Sequence, residues 1–121
     1  MEHADLTEKI IGTFYDVYNQ LGYGFLESVY KNSMLIALKR AGLEGEAEWP
    51  IKVHFDGEIM GKFHADIVVK NKIILELKSS KTIDDAHVAQ TLNYLKATEI
   101  NVGLLLNFGP KPEFTRLFFD R

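Results

Sequence analysis

Apolar positions recur at helical spacing in the first third of the chain and alternate with polar ones in the middle. Leu6, Ile10, Phe14, Val17 and Leu21 fall three or four apart, which predicts an amphipathic helix over residues 5–21. Asp5 stands as its cap, with Glu8 three residues on as in a capping box. Gly22 and Gly24 end it. A second helix is predicted from Phe25 to Ala41, stopped by Gly42. Its apolar residues Leu26, Val29, Leu35, Ile36 and Leu38 spread over much of the circumference, the pattern of a largely buried helix.

After Pro50 the period changes. Ile51, Val53 and Phe55 alternate with Lys52 and His54, as in a half-buried strand. Asp56-Gly57 signals a hairpin into a second strand over 59–69, where Gly61 marks a bulge. Lys70-Asn71-Lys72 is a turn, and a third strand follows from Ile73 to Ser79. A helix is predicted from Ala86 to Thr98, then a buried strand from Val102 to Phe108, closed by Gly109-Pro110. Phe114 to Phe119 forms a last edge strand. The order is two helices, a three-stranded antiparallel meander, a helix and one or two further strands. That is an α/β sandwich with a mixed sheet.

Composition narrows the class. The chain of 121 residues is the size of one domain, and no repeat or linker divides 1–121. With no cysteine, disulfides and thiolate metal sites are excluded. No apolar run reaches membrane-spanning length, and the first residues lack a signal-peptide pattern, so a cytoplasmic protein with no membrane association is expected. A net charge of −3 argues against coating DNA by charge alone. Positive charge is nevertheless gathered locally at Lys62, Lys70, Lys72, Lys78 and Lys81.

Candidate chemistry centres on Ile73-Ile74-Leu75-Glu76-Leu77-Lys78. Alternate residues of a strand share a face, so Glu76 and Lys78 point one way and Leu75 and Leu77 the other, into a core. Charged groups in so apolar a strand are costly unless paired or bound to something. Asp66 sits in a similarly apolar strand, Phe63-His64-Ala65-Asp66-Ile67-Val68-Val69. An odd number of residues in the Lys70–Lys72 turn places Asp66 directly opposite Glu76, with Cβ atoms ~4.5–5.5 Å apart. A register slip of one residue puts them on opposite faces. Opposed carboxylates repel, and a divalent cation between them removes the repulsion. Glu27 continues the stripe of Tyr30, Met34 and Leu38, which points it inward; a charge favoured by the helix dipole is the simpler explanation. On the third helix His87, Gln90, Thr91 and Tyr94 form one polar face, and Val88, Leu92 and Leu95 form another that packs on the sheet. An exposed polar face accounts equally well for His87 and Thr91. The histidines His3, His54, His64 and His87 show no metal-ligand spacing, and no nucleotide-binding loop is present.

Gly24-x-x-Glu27-x-x-Tyr30 resembles the signature of the GxxExxY proteins, a group within the PD-(D/E)xK nuclease superfamily. The resemblance extends through Asp66, Glu76-Leu77-Lys78, His87-x-x-Gln90, Asn93-Tyr94-Leu95 and Gly103-Leu104-Leu105-Leu106-Asn107-Phe108-Gly109. It implies a restriction-endonuclease-like core and Mg²⁺-dependent hydrolysis of DNA phosphodiesters, with Mn²⁺ as a substitute. Asp66 and Glu76 then resemble the metal-binding acids, with the Leu77 carbonyl as a further ligand. Glu27 resembles the helix glutamate that completes the site, often through water. Lys78 resembles the lysine beside the attacking water. Gln90 and Tyr94, with His87, resemble substrate-positioning residues. The residue before Asp66 is Ala65 where the superfamily name has proline, a position that supplies no ligand. So small a chain implies a homodimer or a partner protein to grip a duplex. The alternative is a non-catalytic nucleic-acid-binding or protein-interaction module of the same fold.

Overall fold

The computed structural model describes residues 2–121. Helices α1 (Ala4–Leu21) and α2 (Glu27–Arg40) come first, then strands β1 (Gly45–Phe55), β2 (Glu58–Val69) and β3 (Ile73–Lys78). Helix α3 (Asp85–Lys96) leads to β4 (Val102–Phe108) and β5 (Pro112–Phe118). The strands lie in the order β1-β2-β3-β4-β5, and every pair is antiparallel except β3 with β4. That parallel pair needs a crossover connection, and α3 supplies it. Among the described residues no helix is long and apolar enough to cross a membrane.

The sheet separates two cores. On one face Ile67, Val69, Leu75, Leu77, Leu104 and Leu106 pack beneath α1 and α2. On the other, Val68, Ile74 and Ile51 meet Tyr94 and Leu95 of α3. Every residue of β4 is buried, which explains why its sequence is an unbroken apolar run. Gly103 lets α3 approach this strand: a Cβ there would stand 3.2 Å from the Thr91 methyl. Thr91, expected on a polar face, is accordingly buried against the sheet, and its hydroxyl donates to the His87 carbonyl at 3.1 Å.

Both turns form as the sequence implies. Asp56 (φ 51) and Gly57 (φ 79) are both left-handed, and Phe55 pairs with Glu58. Lys70 (φ 54) and Asn71 (φ 56) are also left-handed, and the Lys72 N–H donates to the Val69 carbonyl at 2.9 Å. The bulge is at the expected place: Val53 pairs with Gly61 and His54 with Ile59, which leaves Met60 without a partner.

Three expectations need correction. The capping box at Asp5 and Glu8 does not form, because α1 starts earlier, from His3 at φ 57, and Asp5 lies inside the first turn. Thr7 closes that end instead, donating its hydroxyl to the His3 carbonyl at 2.9 Å. Helix α2 is not buried on most of its circumference. Its inner stripe is Tyr30, Met34 and Leu38, while Leu26 and Ile36 are exposed, because the helix lies on the outside of the sheet with only one face covered. Strand β1 begins at Gly45, before Pro50; the acidic Glu46 and Glu48 hide this extension from a hydrophobic pattern.

Candidate metal and phosphodiester site

Strands β2 and β3 pair through Val69–Ile73, Val68–Ile74 and Ile67–Leu75. The loop between Val69 and Ile73 has three residues, an odd number, so the next rung in this register opposes Asp66 and Glu76. Backbone pairing stops there, and the two carboxylates take its place. The Asp66 N–H donates to Glu76 Oε2 at 2.7 Å, and the Leu77 N–H donates to Asp66 Oδ2 at 2.9 Å. The strands fork at this point, and the acids fill the fork.

A change of face produces the fork. Ile67 and Val69 look toward α1 and α2, whereas Ala65, two residues earlier, belongs to the core beneath α3. Strand β1 does the same: Gly45 faces Leu38 of α2, but Trp49 and Ile51 pack with the α3-side core. Regular alternation would keep these residues on one side. The inversion falls at Asp66 and at Glu48, which would oppose it in the β1–β2 register and has φ 52.

The fork is electrostatically loaded. Glu76 is almost fully buried, and its pKa is raised to about 8. Loss of hydration is the largest cause and the neighbouring Asp66 charge the next; the Asp66 N–H, Lys78 and Lys31 act in the opposite direction. No hydrogen bond from the described residues reaches Asp66 Oδ1 or Glu76 Oε1, yet neither is a fully buried orphan. One oxygen of each acid is thus held by backbone and the other is free. That donor set fits a small hard cation, which prefers one or two carboxylates completed by water. The Leu77 N–H points at Asp66, and a strand residue directs its N–H and C=O to the same side, so its carbonyl faces the fork too.

Lys78 follows on the same face as Glu76, opposite Asn107 in the parallel ladder. It is half-buried, and no salt bridge within 4.0 Å engages it among the described residues. Asn107, fully buried, fixes the segment beyond. It accepts from the Ser80 N–H and donates to the Ser80 carbonyl, both at 3.0 Å. Gly109 permits this clasp, since a Cβ would meet the Ser80 carbonyl oxygen at 2.6 Å.

From α3, Gln90 Nε2 donates to the Tyr94 hydroxyl at 3.3 Å. Burial raises the Tyr94 pKa, and the Glu76 and Asp66 charges add to the shift, so this phenol lies in the field of the acids. His87 is occupied otherwise. Its N–H donates to Asp84 Oδ1 at 3.0 Å and its Nδ1 accepts from the Asp84 N–H at 3.4 Å, a capping box at the start of α3.

Helix α2 contributes differently from expectation. Glu27 is its first residue and is exposed, not inward, because the first turn overhangs the core; Leu26 beside it is 77% exposed. No group of three His, Asp or Glu side chains able to hold a metal assembles among the described residues. The fork therefore holds two acids, with Glu27 apart from them. Lys31, one turn on, is the α2 residue that acts on the fork: its charge lowers the Glu76 pKa, and its ammonium pairs with Glu48. Neither Lys31 nor Glu48 stands out in the sequence; a left-handed glutamate inside a strand leaves no local sign. Tyr30 proves to be a fastener. Its hydroxyl donates to the Gly22 carbonyl at 2.6 Å and accepts from the Phe25 N–H at 3.2 Å, while its ring stacks on Phe108 at 4.2 Å. Gly24 at φ 115 makes the turn that Tyr30 fastens.

A mixed five-stranded sheet with helices on both faces, an acid on β2 opposed to an acid on the central strand β3, and a lysine two residues further along β3, is the arrangement of a restriction-endonuclease-like nuclease fold. A family model for the PD-(D/E)XK nuclease superfamily matches residues 4–117, and the chain belongs to that superfamily. The fold also resembles the crystal structure of SSO0001, with a TM-score of 0.58 and 21% identity. The match covers 98% of this chain but only 60% of the other, so the chain spans about three-fifths of that protein's length. No curated protein matches.

Proposed function

We infer that this chain is a divalent-metal-dependent DNA phosphodiester hydrolase of the GxxExxY kind. The observation that carries the reading is the buried fork, where Asp66 and Glu76 oppose one another with a free oxygen each. A close carboxylate pair with one member, Glu76, buried and the other, Asp66, half-buried is stabilised either by a shared proton or by a cation. Asp66, Glu76 and the Leu77 carbonyl would hold Mg²⁺, with Mn²⁺ as a substitute, and Glu27 would contribute through water from its exposed position. When bound, the ion supplies an acidified water and neutralises phosphate charge. Lys78, free of ion pairs, orients the attacking water and stabilises negative charge developing at phosphorus. The role calls for the positive charge of an ammonium placed beside the water and the phosphate. Gln90 and Tyr94 hold the substrate backbone, with His87 reaching it only through the nitrogen its cap leaves free.

The test is a cleavage panel on linear, nicked and branched DNA with Mg²⁺ or Mn²⁺. Wild type should cut, and Lys78→Ala should lose on the order of 10²–10³-fold in rate with little loss of stability. Glu76→Ala should abolish both cleavage and the rise in melting temperature on adding Mn²⁺. The backbone donor already engaging one oxygen of each acid favours a second reading, a nucleic-acid-binding module without turnover. Wild-type protein that binds DNA, cuts none of the panel and does not respond to metal would establish that reading instead.

A further inference from the structure

The β1–β2 hairpin outruns the sheet. Strand β3 stops pairing with β2 at Ile67, so residues 49–55 and 58–65 form a two-stranded arm beside α3. Between arm and helix lies a groove of about 910 Å³. Its lining includes Lys52, His54, Phe63, Gln90, Tyr94 and Lys96, and no carboxylate of the described residues lines it. That is a notable omission in a chain with more acidic than basic residues. Small side chains, Ala86 and Ala89, keep its helical wall low. Phe63 is 45% exposed, with its ring 6.0 Å from that of Tyr94. Lys52 stands directly across the arm from Lys62.

We propose that this groove binds a single-stranded stretch of nucleic acid, with a base stacked on Phe63 and phosphates on Lys52 and Lys96, and leads it to the acid fork. A basic track with an exposed aromatic platform is what a single strand requires, since stacking needs a base freed from its partner. Gln90 and Asn93 add amide donors and acceptors suited to phosphate or base edges. Tyr94 links the two places: it lines the groove and packs in the same core as Ala65, the residue before Asp66. The proposal rests on the nuclease reading for the direction of the strand, not for its binding.

Binding of fluorescent oligothymidine, oligouridine and a blunt DNA duplex of equal length should be measured with the whole chain in chelator, where nothing is cut. The single strands should bind more tightly than the duplex. Phe63→Ala should weaken them by at least about fivefold. The Lys52→Gln/Lys96→Gln variant should lower the slope of log affinity against log salt by roughly 0.7 per lysine. Both lysines are exposed, so this variant tests the track even where Phe63→Ala melts early through lost contact with Tyr94. Preference for duplex, or unchanged affinity and salt slope in the lysine variant, overturns the groove. Single-strand binding through these residues with no cleavage by wild type removes the nuclease reading and leaves the groove standing. Cleavage by wild type, with groove variants binding and cutting unchanged, removes the groove alone.

Discussion

At Glu76 a proton takes the place that the proposed cation would occupy. The folded-state pKa of about 8 lies above the ordinary carboxylate value of 4.5, so between those values the folded protein holds a proton that the unfolded chain has released. The stabilising contribution is fully present below the lower value and is lost as pH rises through the upper one. Metal-free protein should therefore lose stability from about pH 5 to pH 8, by an amount on the order of a few kcal/mol. Divalent cation should flatten that slope, and Glu76→Gln should abolish it while keeping the shape of the side chain. Thermal melts across this range, with chelator and with Mn²⁺, check the prediction. A flat wild-type profile in chelator would mean that Glu76 is not in the environment described here.

The turn into α2 joins two residues of one motif that do separate jobs. Tyr30→Phe keeps the stack on Phe108 but strands the Gly22 carbonyl and the Phe25 N–H, and should cost roughly 1–3 kcal/mol, a melting shift of several degrees. Glu27→Gln, at an exposed position, should change stability by no more than about 0.5 kcal/mol. Lower cleavage with an unmoved melting curve would give Glu27 its place in the reaction, and unchanged cleavage would remove it. These elements also show what could be read in advance. Asp66 opposite Glu76 was legible, because an odd turn and a period of two fix which residues meet. Glu27 was not, because a helical stripe gives direction around the axis but not how far the first turn overhangs the core. The acidic start of β1 and the change of face at Glu48 were hidden for a related reason. Hydrophobic alternation reports burial on one face and is silent where a strand exchanges faces.

On the scale of the molecule, protection is distributed unevenly. Strand β4 is buried throughout, and β3 lies between two paired neighbours, whereas most of the arm beyond the fork is open to solvent. Hydrogen exchange should be slowest in Ile73–Leu77 and Val102–Phe108 and much faster around residues 52–64, with amide mass spectrometry as the measurement. Equal rates in the two regions would contradict the layering. The lone parallel pair has a further effect during synthesis. Strands β1 to β3 are adjacent hairpins that can join as they emerge, but the second neighbour of β3 is β4, beyond the α3 crossover. Such non-local pairing is slow and must wait for the intervening chain. A chain synthesised only as far as Lys78 thus carries Asp66, Glu76 and Lys78 without the strand that flanks β3 on its other side, and the fork gains that wall only once residues 102–108 have followed.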